Sequence, residues 1–342
     1  MTSPEIPVLQ VSNLVKQFGK HAAVNDLSFQ VNEGDIFGFL GPNGAGKSTT
    51  MYMMSGLVRP TSGRIEIFGE PHTNVESVRS RMGTMIEVPA FYEYLSGRKN
   101  LEVLARIQGN VPRARIDEVL EMVGLLDRGK DKVREYSHGM KQRLGVAQAI
   151  MHRPKLLLLD EPTNGLDPDG SAQVWELLRR LVREDKMTVF ISSHLLHEVE
   201  EWCNRIAVIN QGILVACDEV RRLLFFSKED NLLVFENSAV RDEAAAFLRG
   251  HTGVEVLNAD ATAGYSSTGV VEETSLYVRM QQGLTGEVLS HLVERRLVPR
   301  AVVPQRKTLK QFFLELTRRQ PRPFEHASAA GSASDSAPSP QS

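Results

Sequence analysis

The chain has 342 residues, 42% of them hydrophobic, which is enough for one large domain or two ordinary ones with buried cores. Its 40 basic and 42 acidic residues leave a net charge of −2, a balance that gives no support to a nucleic-acid scaffold or a polyanion binder. Two cysteines, Cys203 and Cys217, exclude a disulfide scaffold and a Cys-x-x-Cys metal site, and both are expected to pack as small buried hydrophobes in a reducing cytosol.

Met1 to Val11 lacks a basic stretch followed by an apolar core, so no secretion signal is expected. No run reaches the roughly 18 apolar residues that span a bilayer. From Val8 to about Val215, short strand candidates alternate with amphipathic helices, the order of an α/β core on a parallel sheet. The strand-like run Ile36 to Leu40 leads into Gly41, Pro42, Asn43, Gly44, Ala45, Gly46, Lys47 and Ser48. A helix-compatible segment with Met51, Tyr52 and Met54 follows over Ser48 to Ser55.

Two glycines bracketing four residues, then lysine and a hydroxyl residue, fit a phosphate-binding loop. Gly44 and Gly46 permit positive φ and close approach, so successive N–H groups can line an anion concavity. Lys47 can reach the β- and γ-phosphates, and the Ser48 hydroxyl is placed to ligate magnesium. Thr49 joins the expected cofactor-binding set, and the helix N-terminus adds partial positive charge.

From roughly Pro89 to Ile150 the pattern turns helical, with Ile116, Val119, Leu120 and Val123 on one apolar stripe. This reads as a helical subdomain inserted in the core. Ser137, before the helix that begins with Lys141, Gln142 and Arg143, reads as an N-cap, and an N-cap with free N–H groups is also an anion site. Leu156 to Leu159 reads as a buried strand that delivers Asp160 and Glu161 to the edge holding the loop. Asp160 is expected to hold magnesium through water and Glu161 to orient or deprotonate the attacking water. A solvated acidic turn is the competing reading of that pair taken alone. Val174, Leu177, Leu178, Leu181 and Val182 recur at helical spacing, and Thr188 to Ile191 forms another strand candidate ending in Ser192, Ser193 and His194.

Beyond about Lys228 a smaller unit is predicted, with strands at Leu232–Phe235, Val254–Leu257, Leu276–Val278 and Val298–Val303 and helices at Ala239–Leu248 and Gly286–Leu292. That βαββαβ order suggests a ferredoxin-like fold. Leu309 to Thr317 reads as a final amphipathic helix, and Gln320 to Ser342, rich in Pro, Ser, Ala and Gly, is expected to be disordered.

Together these motifs resemble the ATP-binding subunit of ABC transporters over about residues 8–225. The resemblance implies an α/β P-loop NTPase fold of the ABC type, a RecA-like core with a helical subdomain at about 89–150. A small α+β accessory domain at 228–318 and a tail at 320–342 would follow. It implies that His194 is the switch histidine at the γ-phosphate and that Gly165 to Asp167 is the D-loop between protomers, with Asp167 in the nucleotide-binding set. Tyr136, Ser137, His138, Gly139 and Met140 resemble the ABC signature, whose Ser137 and Gly139 face the nucleotide held by the other protomer. Phe18 sits where the family stacks a ring on adenine, although a core role reads nearly as well. Lys47, Glu161 and His194 are the expected catalytic residues; Ser48, Asp160 and Glu87 are the expected metal-binding ones, with ATP and Mg2+ as cofactors.

Two positions depart from the family pattern. His138 and Met140 replace the common Gly and Gln of the signature. Glu87 stands where most members carry glutamine; an ionised glutamate can ligate a metal but cannot donate a hydrogen bond. With Pro89, Phe91 and Tyr92 behind it, this form resembles the bacitracin and lantibiotic self-protection exporters. Those aromatics read equally as subdomain core and as a docking face for a membrane partner.

The resemblance implies a homodimer closed through its ATP sites, powering export of a drug, peptide or lipid-like compound. The pathway would be a separate ABC-2-type permease, with this chain at the cytoplasmic face of the membrane and no nucleic-acid partner. A soluble ABC ATPase acting on DNA or ribosomes and an importer motor are the alternatives. The single ATPase module, the lack of a coiled-coil insertion, Glu87 and the exporter-like Phe312 to Thr317 weigh against them.

Overall fold

Strands β1 (Leu9–Phe18) and β2 (His21–Val31) form a hairpin, and with β4 (Ser62–Ile67) and β5 (Glu70–Pro71) they build an antiparallel sheet in the order β2-β1-β4-β5. The molecule is a computed structural model that describes residues 6–73, 75–109, 111–224, 228–257, 273–281, 283–305 and 309–318. The expected disordered tail at 320–342 lies outside them. This antiparallel sheet was not anticipated from sequence, and its irregularity explains why. Asn13 and Asp26 adopt positive φ, and the β1–β2 register shifts three times, so strict alternation is lost.

The fully apolar runs form a second sheet. Strands β3 (Ile36–Leu40), β6 (Met82–Met85), β7 (Leu156–Asp160), β8 (Thr188–Ser193), β9 (Arg205–Asn210) and β10 (Ile213–Glu219) lie in the order β10-β9-β3-β8-β7-β6. All neighbours are parallel except the β9–β10 hairpin. Every residue of β3 and β8 is buried, as expected for strands covered on both faces. On one face, Phe37 and Phe39 of β3 and Phe190 of β8 pack with Phe29 of β2, with centroids 5.3–5.9 Å apart. These rings join the two sheets.

Helix α1 (Lys47–Met54), which follows β3, lies on this same face, with Met51, Met53 and Met54 buried among those rings, while α6 (Pro168–Asp185) and α7 (Leu196–Trp202), which follow β7 and β8, cover the other face. The short α2 (Val75–Arg79) precedes β6, α3 (Gly97–Gln108), α4 (Arg113–Met122) and α5 (His138–Ile150) stand between β6 and β7, and the short α8 (Val220–Leu224) follows β10. The stripe Ile116, Val119, Leu120 and Val123 is buried in one cluster with Leu144, Leu157 and Leu159. The helical region thus packs directly on the sheet.

The last unit has strands β11 (Lys228–Val234), β12 (Val254–Val256), β13 (Ser275–Gln281) and β14 (Ala301–Gln305), with α9 (Ser238–Arg249) and α10 (Thr285–Glu294) between them. Its sheet runs β12-β13-β11-β14 and is antiparallel throughout, the order a ferredoxin-like βαββαβ unit adopts. The final strand starts at Ala301 rather than at Val298. Pro299 lacks the N–H a ladder needs, and Val298 is exposed. Helix α11 (Leu309–Arg318) returns to the first unit, where Leu309 is fully buried and Phe312 and Phe313 pack on the same cluster.

Candidate active site

Four parallel strands, β3, β8, β7 and β6, end on one edge of the six-stranded sheet, and the segments that leave those ends carry the candidate residues. Ligands of open α/β sheets bind at such carboxyl edges. The loop Gly41–Ser48 leaves β3, His194 leaves β8, Asp160 and Glu161 close β7, and Glu87 follows β6.

The loop is held open by its glycines. Gly44 has φ 78° and Gly46 φ 104°. A Cβ on Gly46 would lie 2.4 Å from the Ala23 carbonyl oxygen, and one on Gly41 would lie 2.6 Å from that of Ile209. Side chains are therefore excluded at both positions. Pro42, Asn43, Gly44 and Ser48 are exposed on the open side, Thr49 is half-buried, and Ala45 is buried. Lys47 folds back: its Nζ donates to the carbonyls of Gly41 at 2.7 Å and Pro42 at 3.3 Å. Burial pulls its pKa below the ordinary value, while the nearby charges of Glu161 and Asp160 pull the other way. The lysine and both carboxylates thus share one electrostatic neighbourhood.

A relay of hydrogen bonds links the carboxylates to β8. The Ser192 hydroxyl donates to Asp160 Oδ1, and the Glu161 backbone N–H donates to Ser192 Oγ at 3.1 Å. Glu161 holds a positive φ of 46°, a conformation that costs a non-glycine residue free energy. Its Oε2 lies 3.0 Å from Nδ1 of His194. The reading of this pair as a mere solvated acidic turn fails on that geometry, because both carboxylates are partly buried and engaged.

Glu87 also holds a positive φ, 66°, and accepts a hydrogen bond from the Tyr52 hydroxyl on α1. That bond, with lesser contributions from burial and the charges of Glu87 and Asp160, pushes the Tyr52 pKa up to about 12. The phenol remains a donor at physiological pH. Behind Glu87 the aromatics divide: Phe91 packs against the core, while Tyr92 is 53% exposed beside the exposed Tyr94.

Phe18 is 52% exposed, with Lys16 Nζ 4.9 Å from its ring centroid, so the core reading of Phe18 is set aside. Ser137 caps α5 by accepting from the Met140 N–H at 3.2 Å. A Cβ on Gly139 would meet only ordinary contacts, Leu166 Cδ2 at 3.5 Å and Ser137 Oγ at 4.0 Å, and the residue has no positive φ. Among the described residues nothing requires glycine there. His138 Nε2 lies 3.1 Å from the Asn164 carbonyl, joining the signature to the segment before α6, whose N-cap is Asp167. Among the described residues, Ser137, Gly139 and Asp167 make no hydrogen bond to the loop Gly41–Ser48 of their own chain.

Sequence reading missed Ser192 as a relay, Tyr52 as the partner of Glu87, and Glu198. Glu198 is 6% exposed, and its Oε2 accepts from Thr163 Oγ1 at 2.7 Å and Trp175 Nε1 at 3.0 Å. It sits in the polar-looking run Leu196–Trp202, where periodicity gives no signal that one glutamate faces inward.

A family model described as "ABC transporter" matches residues 24–164. The ABC transporter ATP-binding protein YhcH of Bacillus subtilis is 39% identical over 321 residues, which cover 94% of this chain and 99% of that protein. The bacitracin transport ATP-binding protein BcrA of Bacillus licheniformis is 47% identical over 209 residues, 61% of this chain and 68% of its own length. Among solved structures, cbiO1 of Clostridium perfringens, part of the ABC transporter complex cbiONQ, superposes with a TM-score of 0.59 at 25% identity, covering 64% of this chain and 90% of that one.

Proposed function

The chain belongs to the ABC transporter ATP-binding family, and from that premise we propose that it is the ATP-hydrolysing motor of an exporter acting through a separate membrane permease. The convergence of Lys47, Glu87, Asp160, Glu161 and His194 on one sheet edge carries this reading. The division into an ATP-binding unit at 8–225, with its helical part at about 89–150, and an accessory unit at 228–318 is part of it.

In this mechanism Lys47 leaves the Gly41 and Pro42 carbonyls for the β- and γ-phosphates, whose oxygens are better acceptors. Glu161, held by Ser192 and by the His194 ring, orients or deprotonates the water that attacks the γ-phosphate. His194 keeps its second ring nitrogen, Nε2, for the γ-phosphate. Ser48, Asp160 and Glu87 supply a hydroxyl and two carboxylates, an oxygen set that suits Mg2+. Ser192 occupies only Oδ1 of Asp160, which leaves Oδ2 for the metal or its water. When bound, the ion neutralises charge on the transferring phosphoryl group.

Phe18 is exposed as an adenine platform requires. Gly139 and Ser137 complete the site of a second copy, which accounts for a glycine that its own chain does not need. The permease is of ABC-2 type and docks near Tyr92 and Tyr94, which places the chain at the cytoplasmic face of the membrane. Among the described residues no helix is long and apolar enough to cross a membrane, so the pathway belongs to another chain. The name of the bacitracin relative favours export of a drug, antimicrobial peptide or lipid-like compound over import or work on DNA or ribosomes.

Lys47→Ala is expected to lower ATP turnover by about 10² to 10³, the loss seen when a positioned electrostatic group is removed. Turnover within about tenfold of the unmodified chain overturns the assignment. Glu161→Gln is expected to trap an ATP-dependent dimer with little hydrolysis. Gel filtration with ATP that shows only monomer, with the permease present as well, counts against the composite site.

A further inference from the structure

Helices α9 and α10 lie on the accessory sheet and bury Ala244, Leu248, Val288 and Leu292 in one core. That packing fixes which side chains point away from the sheet. Glu287 and His291 are four residues apart on α10 and share one face. His251 comes from the other helix, just beyond the C-cap Gly250, where its N–H donates to the Leu248 carbonyl at 3.1 Å. One ligand atom from each of His251, Glu287 and His291 lies within 4.8 Å of the other two.

The histidine geometry is specific. His251 Nδ1 lies 3.0 Å from the Thr252 carbonyl oxygen, which can only accept. Nδ1 therefore carries the proton, and Nε2 presents its lone pair to His291 Nδ1, 3.1 Å away. Two imidazole nitrogens bound to one tetrahedral zinc ion at about 2.0–2.1 Å stand roughly 3.3 Å apart, so a shift of a few tenths of an ångström admits the ion. A backbone carbonyl holding the far nitrogen is the usual way a ligating histidine is oriented. The Phe247 and His251 rings stand at 79° to each other with centroids 6.0 Å apart, and Arg295 stacks on Phe247 in turn, which restrains the imidazole further.

We propose that His251, Glu287 and His291 form a divalent transition-metal site of the zinc type in the accessory unit, with a fourth position open to water or a partner ligand. Two imidazoles and one carboxylate favour zinc, nickel or cobalt over magnesium or calcium, so this site is chemically distinct from the all-oxygen set beside the phosphate loop. Arg295 places a positive charge nearby, and Glu287 supplies the compensating negative one. The ion joins the end of α9 to α10. Without it, His291 Nδ1–H donates to His251 Nε2, and the two helices are held at this point by a single hydrogen bond.

The test uses the full chain, stripped with a chelator and titrated with Zn2+ against a competing chromophoric chelator in millimolar Mg2+. One tight equivalent per chain is expected, together with a rise in the melting midpoint and the d–d absorption of four-coordinate cobalt when Co2+ replaces zinc. The double variant His251→Gln/His291→Gln is expected to lose that equivalent and the cobalt bands, and Glu287→Gln to weaken binding at least tenfold. His251 and His291 are partly exposed and Glu287 is exposed, and circular dichroism of the variants checks that the fold is kept. Absence of a zinc equivalent in the unmodified chain overturns the proposal. So does an equivalent that survives in the double variant, which assigns the metal to other histidines, or one displaced by millimolar Mg2+. If the double variant does not fold, the Glu287→Gln titration decides alone, unchanged affinity being the refuting result.

Discussion

Thr163→Val tests whether the buried carboxylate of Glu198 organises the segment that follows β7. Valine keeps the shape of threonine but removes the hydroxyl that donates to Glu198 Oε2 at 2.7 Å, leaving Trp175 Nε1 at 3.0 Å as the remaining donor. A hydrogen bond to a charged group is worth about 1.5–3 kcal/mol, so the expected destabilisation is about 2 kcal/mol. In a unit of roughly 200 residues that corresponds to about 4–8 °C in the melting midpoint. Tryptophan fluorescence is the natural assay. The chain has 2 tryptophans, and Trp175 and Trp202 stack at 6.1 Å, so their emission reports this pocket. Trp175→Phe removes the other donor. Because both bonds end on one oxygen, the double variant should deviate from additivity by about 0.5–3 kcal/mol. A Thr163→Val midpoint within about 1 °C of the unmodified chain, with additive double-variant behaviour, refutes the reasoning.

Phe18→Ala should weaken ATP binding by up to about tenfold, since aromatic stacking is worth about 0.5–1.5 kcal/mol, and should leave the melting midpoint unchanged because the ring is exposed. Equal nucleotide affinity in the variant removes Phe18 from the site. Glu87→Gln replaces the carboxylate that disfavours the tyrosinate of Tyr52, so the pKa of about 12 should fall toward the ordinary value. Ultraviolet titration of the folded chain should show one tyrosine moving to lower pH, and an unchanged curve denies the contact. Burial pushes the Cys217 thiol up to about 11 and the more deeply buried Cys203 higher still. With less than about 1% thiolate at pH 8, alkylation of the folded chain should be at least tenfold slower than that of a free thiol, and rapid labelling of Cys217 contradicts this.

What the sequence made legible were features whose chemistry is local. Gly44, Gly46, Lys47 and Ser48 specify a loop by conformational freedom and charge alone, and the apolar runs before Gly41 and Asp160 could become only buried strands. The stripe at Ile116, Val119, Leu120 and Val123 carried its own period. Features that depend on residues far apart in the chain were not legible. Tyr52 meets Glu87 across 35 positions and Thr163 meets Glu198 across 35, and neither pair has a local pattern. The β1–β2 hairpin was hidden for a different reason: the left-handed turns at Asn13 and Asp26 erase the two-residue period that marks a strand. Cys217 was read as buried and is only partly so, because it lies on β10, at the edge of its sheet.

Helix α7 ties these parts together. It begins just beyond His194, so any displacement of that histidine moves the helix or strains Leu195, the one residue between them. Glu198 binds it to Thr163 in the segment after Glu161, and Glu200, two residues on, accepts the backbone N–H of Leu309 at 2.8 Å. Leu309 is fully buried in the cluster that also holds Val199 and Cys203. One two-turn helix therefore joins His194 beside Glu161, the segment after Glu161 that carries Thr163, and the helix that ends the accessory unit. A change in the His194–Glu161 distance has a short, packed route to α11 in a direction set by α7. The same contacts would let anything that stiffens or displaces α11 bias the histidine.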